Sequence, residues 1–227
     1  MLHWRSMSST HGATIYMKTN KIAFFNLLFL SILTTAGCSS NNTSLPHAST
    51  YPSLTTSVDN YQYLIGPGDT LSIFVWRNPD ISGTFIVRPD GKVTTSLVED
   101  IEVTGKTPSV LARELEESLG KFINSPRVTV SVTGFAGPLS ERVRVIGEAT
   151  NPSTINYTQH MTLLDLMISV GGLTSFAAGD SAKLVRTIDG QQKTFAIKID
   201  SLIRDGDIAK NIDILPGDII IIPEAWF

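Results

Sequence analysis

The residue with the clearest chemical potential is Cys38, the single cysteine of this 227-residue chain. Upstream of it, Lys18 and Lys21 precede a mostly apolar run at residues 22–33, and two small residues at 36–37 lead directly to the cysteine. A basic start, a short apolar core and small residues before a cleavage site are typical of a secretory signal peptide. The run is shorter than the roughly 20 apolar residues that a bilayer-spanning helix needs. Without a second cysteine, the thiol has no disulfide partner within the chain.

The segment that ends at Cys38 resembles a bacterial lipobox, after which signal peptidase II leaves a lipid-modified cysteine as the first mature residue. It departs from the usual pattern at Thr35, where lipoboxes most often have leucine. We therefore expect residues 17–37 to be a lipoprotein signal peptide and Cys38 to be the lipid attachment site. Residues 1–16 fit no part of such a signal, and we interpret them as a misassigned N-terminal extension. The alternative is an ordinary secreted protein with a stray cysteine.

Other residue types that could perform chemistry do not form a recognisable site. His160 lies outside the predicted signal and linker, and no second histidine stands at a metal-ligand spacing from it. The acid pairs Glu99–Asp100 and Glu116–Glu117 could suggest a glycosidase. However, neighbouring residues of a strand point to opposite faces, and the second pair is predicted on the solvent side of a helix. We therefore predict no catalytic residues, no metal site, no cofactor and no enzymatic activity.

Two turns of the same composition precede apolar strands near the two ends of the chain. Residues 66–69 lead into a strand at 71–76, and residues 216–218 lead into a strand at 219–222. Proline fixes the first central residue of a type II turn, and glycine supplies the positive φ of the second. Either the two ends belong to related β-rich modules, or two unrelated turns use the same residues. The predicted structural turn positions are Gly66, Pro67, Gly68, Asp69, Pro89, Asp90, Gly91, Gly171, Gly172, Pro216, Gly217 and Asp218.

The first half of the chain predicts a small sheet with one helix. Residues 84–88 and 92–95 flank a Pro-Asp-Gly turn and predict a hairpin. Thr107 and the proline after it predict a helix start, and residues 127–132 alternate as a half-buried strand does. The predicted buried side of this helix is Leu111, Leu115, Leu119 and Phe122.

The second half predicts another small sheet, separated from the first by a loop at residues 134–140. Thr162 and Asp165 form a predicted capping pair at a helix start, and the glycines at 171–172 end that helix. Its predicted buried residues are Leu163, Leu166, Met167 and Val170. Strands are predicted at residues 142–147, 182–187 and 193–199, and a short helix at 201–204.

Composition limits the function classes that the chain could serve. Charged residues make up 17% of the chain and the formal net charge is -3, which argues against nucleic-acid binding. Residues 38–60 are rich in Ser, Thr, Asn and Pro and predict a flexible tether. Without the signal peptide, the chain is long enough for one large domain or for two small domains with real cores. The predicted fold class is α+β, with two small sheets that each carry a packed helix.

Taken together, these landmarks resemble the outer-membrane polysaccharide export (OPX) family of lipoproteins. Motifs similar to those of the family's export domain occur at residues 63–71, 87–91 and 125–130. The second module resembles a soluble-ligand-binding β-grasp (SLBB) domain at residues 145–147, 161–165, 171–172 and 215–218. Residues 96–101 and 222–227 resemble the branch associated with exosortase (PEP-CTERM) systems.

The resemblance implies a polysaccharide export domain at residues 61–134 and an SLBB β-grasp domain at residues 141–227. It also implies a homo-oligomeric ring that offers polysaccharide a passive path and docks on an inner-membrane polysaccharide co-polymerase. The ring would be lipid-anchored in the outer membrane of a Gram-negative bacterium and would face the periplasm. Capsule exporters of the family continue into an amphipathic pore helix, whereas this sequence stops at Phe227. We therefore expect a separate outer-membrane β-barrel protein to supply the pore.

Two other function classes compete with this one. The first is a monomeric periplasmic lipoprotein whose β-grasp domain binds a glycan or small ligand, and the second is an envelope glycan hydrolase or transferase. Trp76 could stack on a sugar ring, but its place at the end of an apolar strand favours the core or a subunit interface. Trp226 and Phe227 are predicted partner contacts, with packing on their own domain as the alternative.

Overall fold

The computed structural model of this chain describes residues 52–226. The predicted extension, the signal peptide, Cys38, the first part of the tether and Phe227 lie outside the described residues. Residues 52–226 contain two hydrophobic cores, which follow one another along the chain and are built from strands and helices. The predicted α+β class is confirmed.

The first core lies on one face of a three-stranded antiparallel sheet. The elements of this half are β1 (Thr70–Val75), β2 (Gly83–Ile86), β3 (Lys92–Val93), β4 (Ile101–Glu102), α1 (Pro108–Leu119) and β5 (Val128–Gly134). The strand order is β2-β1-β5, so β1 is the central strand. Strands β3 and β4 form a separate two-stranded sheet.

Helix α1 packs on this sheet because its apolar side chains recur at helical spacing. Leu111, Leu115 and Leu119 are at most 3% exposed and belong to the same core as the inward residues of β1. Burying one leucine contributes about 1.5–3 kcal/mol, so these three side chains help to hold the helix against the strands. The predicted start is confirmed, because the hydroxyl of Thr107 accepts the N–H of Val110 and a proline occupies the first helical position.

The predicted burial of Phe122 is wrong, because the helix ends before that residue. Leu119 is the last helical residue and Gly120 caps the helix, so Phe122 no longer follows the helical period. Its side chain is 63% exposed and lines an open groove together with Leu97.

The hairpin predicted at residues 84–95 forms only as a turn. The N–H of Arg88 donates to the carbonyl of Lys92, and the N–H of Gly91 donates to that of Arg88. The strands on the two sides then diverge, because β2 pairs with β1 while β3 pairs with β4. Val87 exchanges backbone hydrogen bonds with the turn before β1, which keeps the end of β2 in the larger sheet.

The second core lies on a five-stranded mixed sheet. Its elements are β6 (Arg142–Gly147), β7 (Ser153–Asn156), α2 (Leu163–Ser169), β8 (Lys183–Ile188), β9 (Gln191–Ala196), α3 (Ile199–Ile203) and β10 (Ile219–Ile222). The strand order is β7-β6-β10-β8-β9, and β10 runs parallel to β6. Strand β9 begins two residues earlier than predicted, because Asp189 and Gly190 both have positive φ and close a two-residue turn.

The predicted cap of helix α2 is confirmed in full. The hydroxyl of Thr162 accepts the N–H of Asp165, and the carboxylate of Asp165 accepts the N–H of Thr162. Gly171 and Gly172 follow with φ values of 78° and 81°, a conformation that favours glycine. All four predicted core residues are buried, namely Leu163, Leu166, Met167 and Val170.

The predicted tether becomes ordered before residue 61. The hydroxyl of Ser53 donates to Oε2 of Glu141 at 2.8 Å, and the N–H of Leu54 donates to Oε1 at 2.9 Å. Glu141 is only 7% exposed and needs such partners, since a buried carboxylate without donors is costly. Tyr61 then packs edge-on against Tyr157 of the second core, with ring centroids 4.9 Å apart. Residues 52–60 therefore lie on the second half of the chain.

Candidate functional site: the junction and the exposed sheet face

Asp69, the acid of the first Pro-Gly-Asp turn, is fully buried at the junction between the two halves. Its carboxylate accepts hydrogen bonds from the hydroxyl of Tyr63 at 2.8 Å and from the N–H of Gly66 at 2.9 Å. Two further donors are the N–H groups of Ala136 at 2.6 Å and Gly137 at 2.7 Å. A buried carboxylate is stable only when donors surround it, and these donors meet that need.

The segment that joins the two sheets is held from both sides. Asp69 binds it from the first half, and Arg142 donates to the carbonyls of Ala136 at 2.9 Å and Gly137 at 3.2 Å from the second. Gly66 lies so close to this segment that a Cβ would come within 2.1 Å of the carbonyl carbon of Gly137. The predicted loop at residues 134–140 is therefore a fixed joint in which side chains satisfy the backbone groups.

Tyr63 shows the electrostatic consequence of this packing. Burial raises the pKa of its phenol above the ordinary value of 10.0, and the hydrogen bond to Asp69 raises that pKa further. The ring also packs edge-on against Phe135 at a centroid distance of 5.3 Å. Tyr63 thus remains a neutral donor to the buried carboxylate throughout the physiological pH range.

Asp218, in the second Pro-Gly-Asp turn, is also fully buried but has a different partner. Its Oδ2 accepts the N–H of Leu215 at 2.8 Å, just as Asp69 accepts the N–H of Gly66 three residues earlier. Arg186 binds both oxygens of Asp218 at 2.8 and 2.7 Å. The two turns share their local chemistry, whereas β1 has two antiparallel neighbours and β10 has one parallel and one antiparallel neighbour.

The third predicted turn, Pro89–Gly91, lies at the surface. Arg88 forms ion pairs with Asp90 and with Asp100, and all three side chains are about half exposed. Exposed ion pairs contribute little to stability, about 0–1 kcal/mol. Gly91 faces Thr104, whose hydroxyl would lie 2.4 Å from an added Cβ. This turn therefore supports the local fold rather than any chemistry.

The acid pairs do not converge on a common point. Glu99 lines the open groove beside Phe122, while Asp100 pairs with Arg88. Glu116 was predicted to face solvent, but its side chain is only 17% exposed and accepts the N–H of Val128 at 3.0 Å. It caps the start of β5, which is a structural role. Within residues 52–226 no three His, Cys, Asp or Glu side chains are grouped so that they could hold a metal ion.

The outer face of the first sheet is exposed and almost free of charge. It carries Ser and Thr on all three strands, together with three apolar side chains. We call it the hydroxyl face, and its residues are Thr70, Ser72, Phe74, Trp76, Thr84, Ile86, Thr129, Ser131 and Thr133. The directly paired residues Ser72 and Ser131 lie at its centre.

Trp76 does not lie in the core of the chain, so that part of its prediction is wrong. Its side chain is 58% exposed and packs edge-on against Phe74, which is 49% exposed, with centroids 6.3 Å apart. The alternation of β1 explains this position: Leu71, Ile73 and Val75 are buried, so the residues between them and Trp76 point outward. Sequence reasoning missed this because an apolar strand end does not reveal which side is covered.

The last described residue, Trp226, is 99% exposed. The chain before it is fixed by two backbone hydrogen bonds. The N–H of Ala225 donates to the carbonyl of Phe176 at 2.7 Å, and the N–H of Ala178 donates to the carbonyl of Pro223 at 2.9 Å. Trp226 therefore does not pack on the described part of its own domain, which was one of the two alternatives. No helix in residues 52–226 has both the length and the apolar character required to cross a membrane.

Comparison with known proteins agrees with the two-part architecture. Residues 57–133 match the family described as polysaccharide biosynthesis/export protein, and residues 141–222 match the SLBB domain. The chain is 28% identical over 183 residues to "EPS I polysaccharide export outer membrane protein EpsA" of Ralstonia nicotianae. It is 30% identical over 182 residues to "Capsule polysaccharide export protein BexD" of Haemophilus influenzae.

These alignments cover 70% of this chain but only 46% and 43% of the two relatives, so the chain spans less than half of their length. The matching family is one of export proteins rather than of enzymes, in agreement with the prediction of no enzymatic activity. The order of the two matched regions is also the order in which the two cores follow one another. The chain therefore contains a polysaccharide biosynthesis/export domain followed by an SLBB domain, and it is similar in sequence to proteins named as polysaccharide export proteins.

Proposed function

We propose that this protein is a subunit of an envelope-spanning channel that exports exopolysaccharide across the outer membrane. The observation that carries the proposal is the match of an export domain and an SLBB domain in series, with relatives named as polysaccharide export proteins. In this role the subunits form a homo-oligomeric ring, and the ring is a passive periplasmic conduit for the polymer. The ring docks on an inner-membrane polysaccharide co-polymerase.

The joint between the two domains suits a subunit of such a ring. A closed ring requires each subunit to present its surfaces at a constant angle, because angular errors add up around the circle. Asp69 and Arg142 bind the same two residues of the connecting segment from opposite sides, which fixes the direction of the chain there. Trp226, exposed at the end of a fixed segment, is our candidate for contact with a neighbouring subunit or partner. Phe227, the other residue of the predicted contact, lies outside the described residues.

A conduit needs no catalytic residues of its own. A long polymer moves best along a wide, polar wall that binds it weakly, since a tight site would retain it. In this proposal the energy for transport comes from polymer synthesis and the co-polymerase. The given sequence contains no Gly-x-x-x-x-Gly-Lys-Ser/Thr loop for nucleotide binding. The domain boundaries of the proposal are residues 61–134 and 141–227. The segment between Cys38 and these domains connects them to the membrane, and its last part, residues 52–60, lies on the second half of the chain.

The membrane connection of the proposal is a lipid on Cys38. Acyl chains on this residue hold the subunit at the outer membrane, with the folded domains in the periplasm. The measurement is metabolic labelling with an alkyne fatty acid, followed by membrane fractionation. We expect label on the wild-type chain and none on Cys38→Ala. Equal labelling of the two proteins, or a wild-type chain found only in the soluble fraction, contradicts lipid anchoring.

The export role is tested by deleting the gene and locating the polymer. We expect polysaccharide to disappear from the cell surface and accumulate in the periplasm, and wild-type gene supplied in trans to restore export. A Gln192→Ala variant, changed at an exposed position of β9, serves as a matched control and should restore export fully. Unchanged surface polymer in the deletion strain overturns the proposed function.

A further inference from the structure

We propose that the hydroxyl face of the export domain contacts the polysaccharide directly, with Phe74 and Trp76 as stacking surfaces for sugar rings. This inference rests on the proposed export function and names the surface that serves it. Six of the nine residues of the face are Ser or Thr, and the other three are Phe74, Trp76 and Ile86. The ligand class is a hydroxyl-rich carbohydrate polymer.

The hydroxyl groups form a regular array that matches the chemistry of a sugar chain. Neighbouring strands lie about 4.8 Å apart, and residues on the same face of one strand repeat every 6–7 Å or so. Thr84, Ser72 and Ser131 form one row across the three strands in the observed register. Each hydroxyl can both donate and accept a hydrogen bond, as sugar hydroxyls do. A polymer can therefore exchange one partner for the next as it slides, without losing hydrogen bonds.

The absence of charged side chains on these strands avoids ionic trapping of the polymer. The contrast is with the five-stranded sheet, where Arg142, Arg144 and Lys183 alternate with buried residues and so lie on the side away from the core. Beside the hydroxyl face the charged residues stand at its margin, where Arg127 lies opposite Trp76 and Arg77 follows Trp76 in the chain. Charge-assisted hydrogen bonds are roughly twice as strong as neutral ones, so a surface without them binds more weakly at each step.

Phe74 and Trp76 are the aromatic side chains of this face, and a sugar ring can stack on them. Both rings are about half exposed and lie edge-on to each other at one end of the sheet. The apolar C–H side of a pyranose ring packs on such an aromatic surface while its hydroxyls remain hydrated. The backbone below the tryptophan is held in place, because the N–H of Trp76 donates to the carbonyl of Arg127 at 2.9 Å.

A second copy of the chain is the competing occupant of this face. The buried centres of protein interfaces are enriched in aromatic residues and depleted in serine. Here Ser72 and Ser131 occupy the centre, while the apolar residues Ile86 and Phe74 lie toward opposite ends of β1. This distribution leaves a hydrophilic centre, which favours a glycan over a neighbouring subunit.

The test places a photo-crosslinking amino acid at Ser131, in the centre of the face, in the full chain expressed in its own host. The matched control carries the same amino acid at Gln192 on β9, which is also exposed on a strand. After irradiation of cells that are exporting polymer, we expect glycan adducts from position 131 at several times the yield from position 192. Adducts to a second copy or to another protein at position 131, or equal glycan yields at the two positions, overturn the inference.

A binding measurement tests the aromatic pair separately. The probe is fluorescently labelled polysaccharide purified from the culture medium of the same strain, titrated with the assembled protein. We expect Trp76→Ala to weaken binding roughly two- to tenfold, whereas Trp76→Phe retains most of it because the ring is kept. Ile168→Ala, which removes an exposed apolar side chain from α2, should change nothing. Unchanged binding by Trp76→Ala contradicts a stacking role.

The outcomes distinguish failure of this inference from failure of the proposed function. If deletion of the gene abolishes export but position 131 reacts only with protein, the channel function stands and the hydroxyl face is a subunit interface. If deletion leaves surface polymer unchanged, the proposed function fails, whatever the crosslinking pattern.

Discussion

Asp69 and Asp218 hold the same place in two turns of the same sequence, yet they bind different parts of the molecule. Each carboxylate accepts the N–H three residues before it, which closes the turn. Asp69 also accepts hydrogen bonds from two N–H groups of the connecting segment, while Asp218 accepts hydrogen bonds from the guanidinium of Arg186. The local role of the acid follows from the turn, and its long-range role depends on what the fold brings near it.

Replacing Asp69 by Asn should destabilise the protein strongly. The asparagine amide has one acceptor oxygen in place of two. Its NH2 group would face the N–H and O–H donors that now bind the carboxylate, so a buried hydrogen-bond network would be broken. We expect the free energy of unfolding, measured in urea, to fall by about 2–4 kcal/mol. The matched control is Asp90→Asn in the surface turn, where we expect a loss of less than about 1 kcal/mol. Equal losses in the two variants would mean that Asp69 does not hold the junction.

Tyr63 should make the protein sensitive to alkali. The pKa of Tyr63 in the folded chain lies above its ordinary value of 10.0, so the phenol stays protonated there while that of the unfolded chain ionises. Its contribution to stability is therefore complete below pH 10.0 and decreases as the pH rises above that value. We expect Tyr63→Phe to show a shallower loss of unfolding free energy above about pH 10 than the wild type.

The comparison with neutral pH serves as the control for this variant. At pH 7 Tyr63→Phe should be less stable by about 1 kcal/mol, because one hydrogen bond to Asp69 is lost. Identical pH profiles of the two proteins above neutrality would contradict a raised pKa. The pKa values of Tyr61 and Tyr157 are also raised, chiefly by burial, so the variant should retain part of the alkaline loss.

At the residue scale, the sequence predicts turn positions but not their partners. The residues of both Pro-Gly-Asp turns were identified because proline and glycine have distinctive backbone preferences. Nothing in the local sequence shows that Asp69 receives the N–H of Gly137, because the two residues stand 68 positions apart. The burial of Glu116 escaped prediction for the same reason, since its partner Val128 belongs to the next strand.

At the scale of helices and strands, sequence patterns predict best those elements whose caps, apolar side and end residues lie close together in the chain. Helix α2 has a capping box, an apolar side and two terminal glycines, and all of these lie within eleven residues of one another. The turn at Pro89–Gly91 has equally clear local signals, but the strands beside it join different sheets. Strand pairing depends on contacts that are distant in sequence, so a turn alone does not establish a hairpin.

The pairing of β6 with β10 should tolerate no side chain at Gly147. Gly147 has φ 89°, and an added Cβ would lie 2.0 Å from the carbonyl oxygen of Ile222. We expect Gly147→Ala to lower the free energy of unfolding by about 3 kcal/mol or more, because the parallel pair must separate. The measurement is equilibrium urea denaturation followed by far-ultraviolet circular dichroism.

Gly190→Ala separates steric conflict from backbone strain. Gly190 also has a positive φ, 74°, but no atom lies within 4 Å of a Cβ placed there. We expect a cost of about 1–2 kcal/mol for the left-handed backbone alone. If Gly147→Ala is no more harmful than Gly190→Ala, the close approach of β10 to β6 is not what requires glycine.

At the scale of the whole molecule, the sequence predicts two modules in series but not their exposed surfaces. The apolar content of β1 indicates a strand, yet it does not show that the side with Phe74 and Trp76 is uncovered. The same holds at the C-terminal end, where an exposed Trp226 follows a segment fixed by backbone hydrogen bonds. These surfaces are where we expect polymer and partners to act.

The native mass and shape of the protein taken from its own membranes test the central claim most directly. Full-length protein extracted from outer membranes in mild detergent should give a single closed ring with a central opening by electron microscopy, and a matching multiple of the subunit mass by native mass spectrometry. A solitary particle with one subunit, found both in detergent and in reconstituted lipid, would contradict the ring conduit and favour a monomeric ligand-binding lipoprotein.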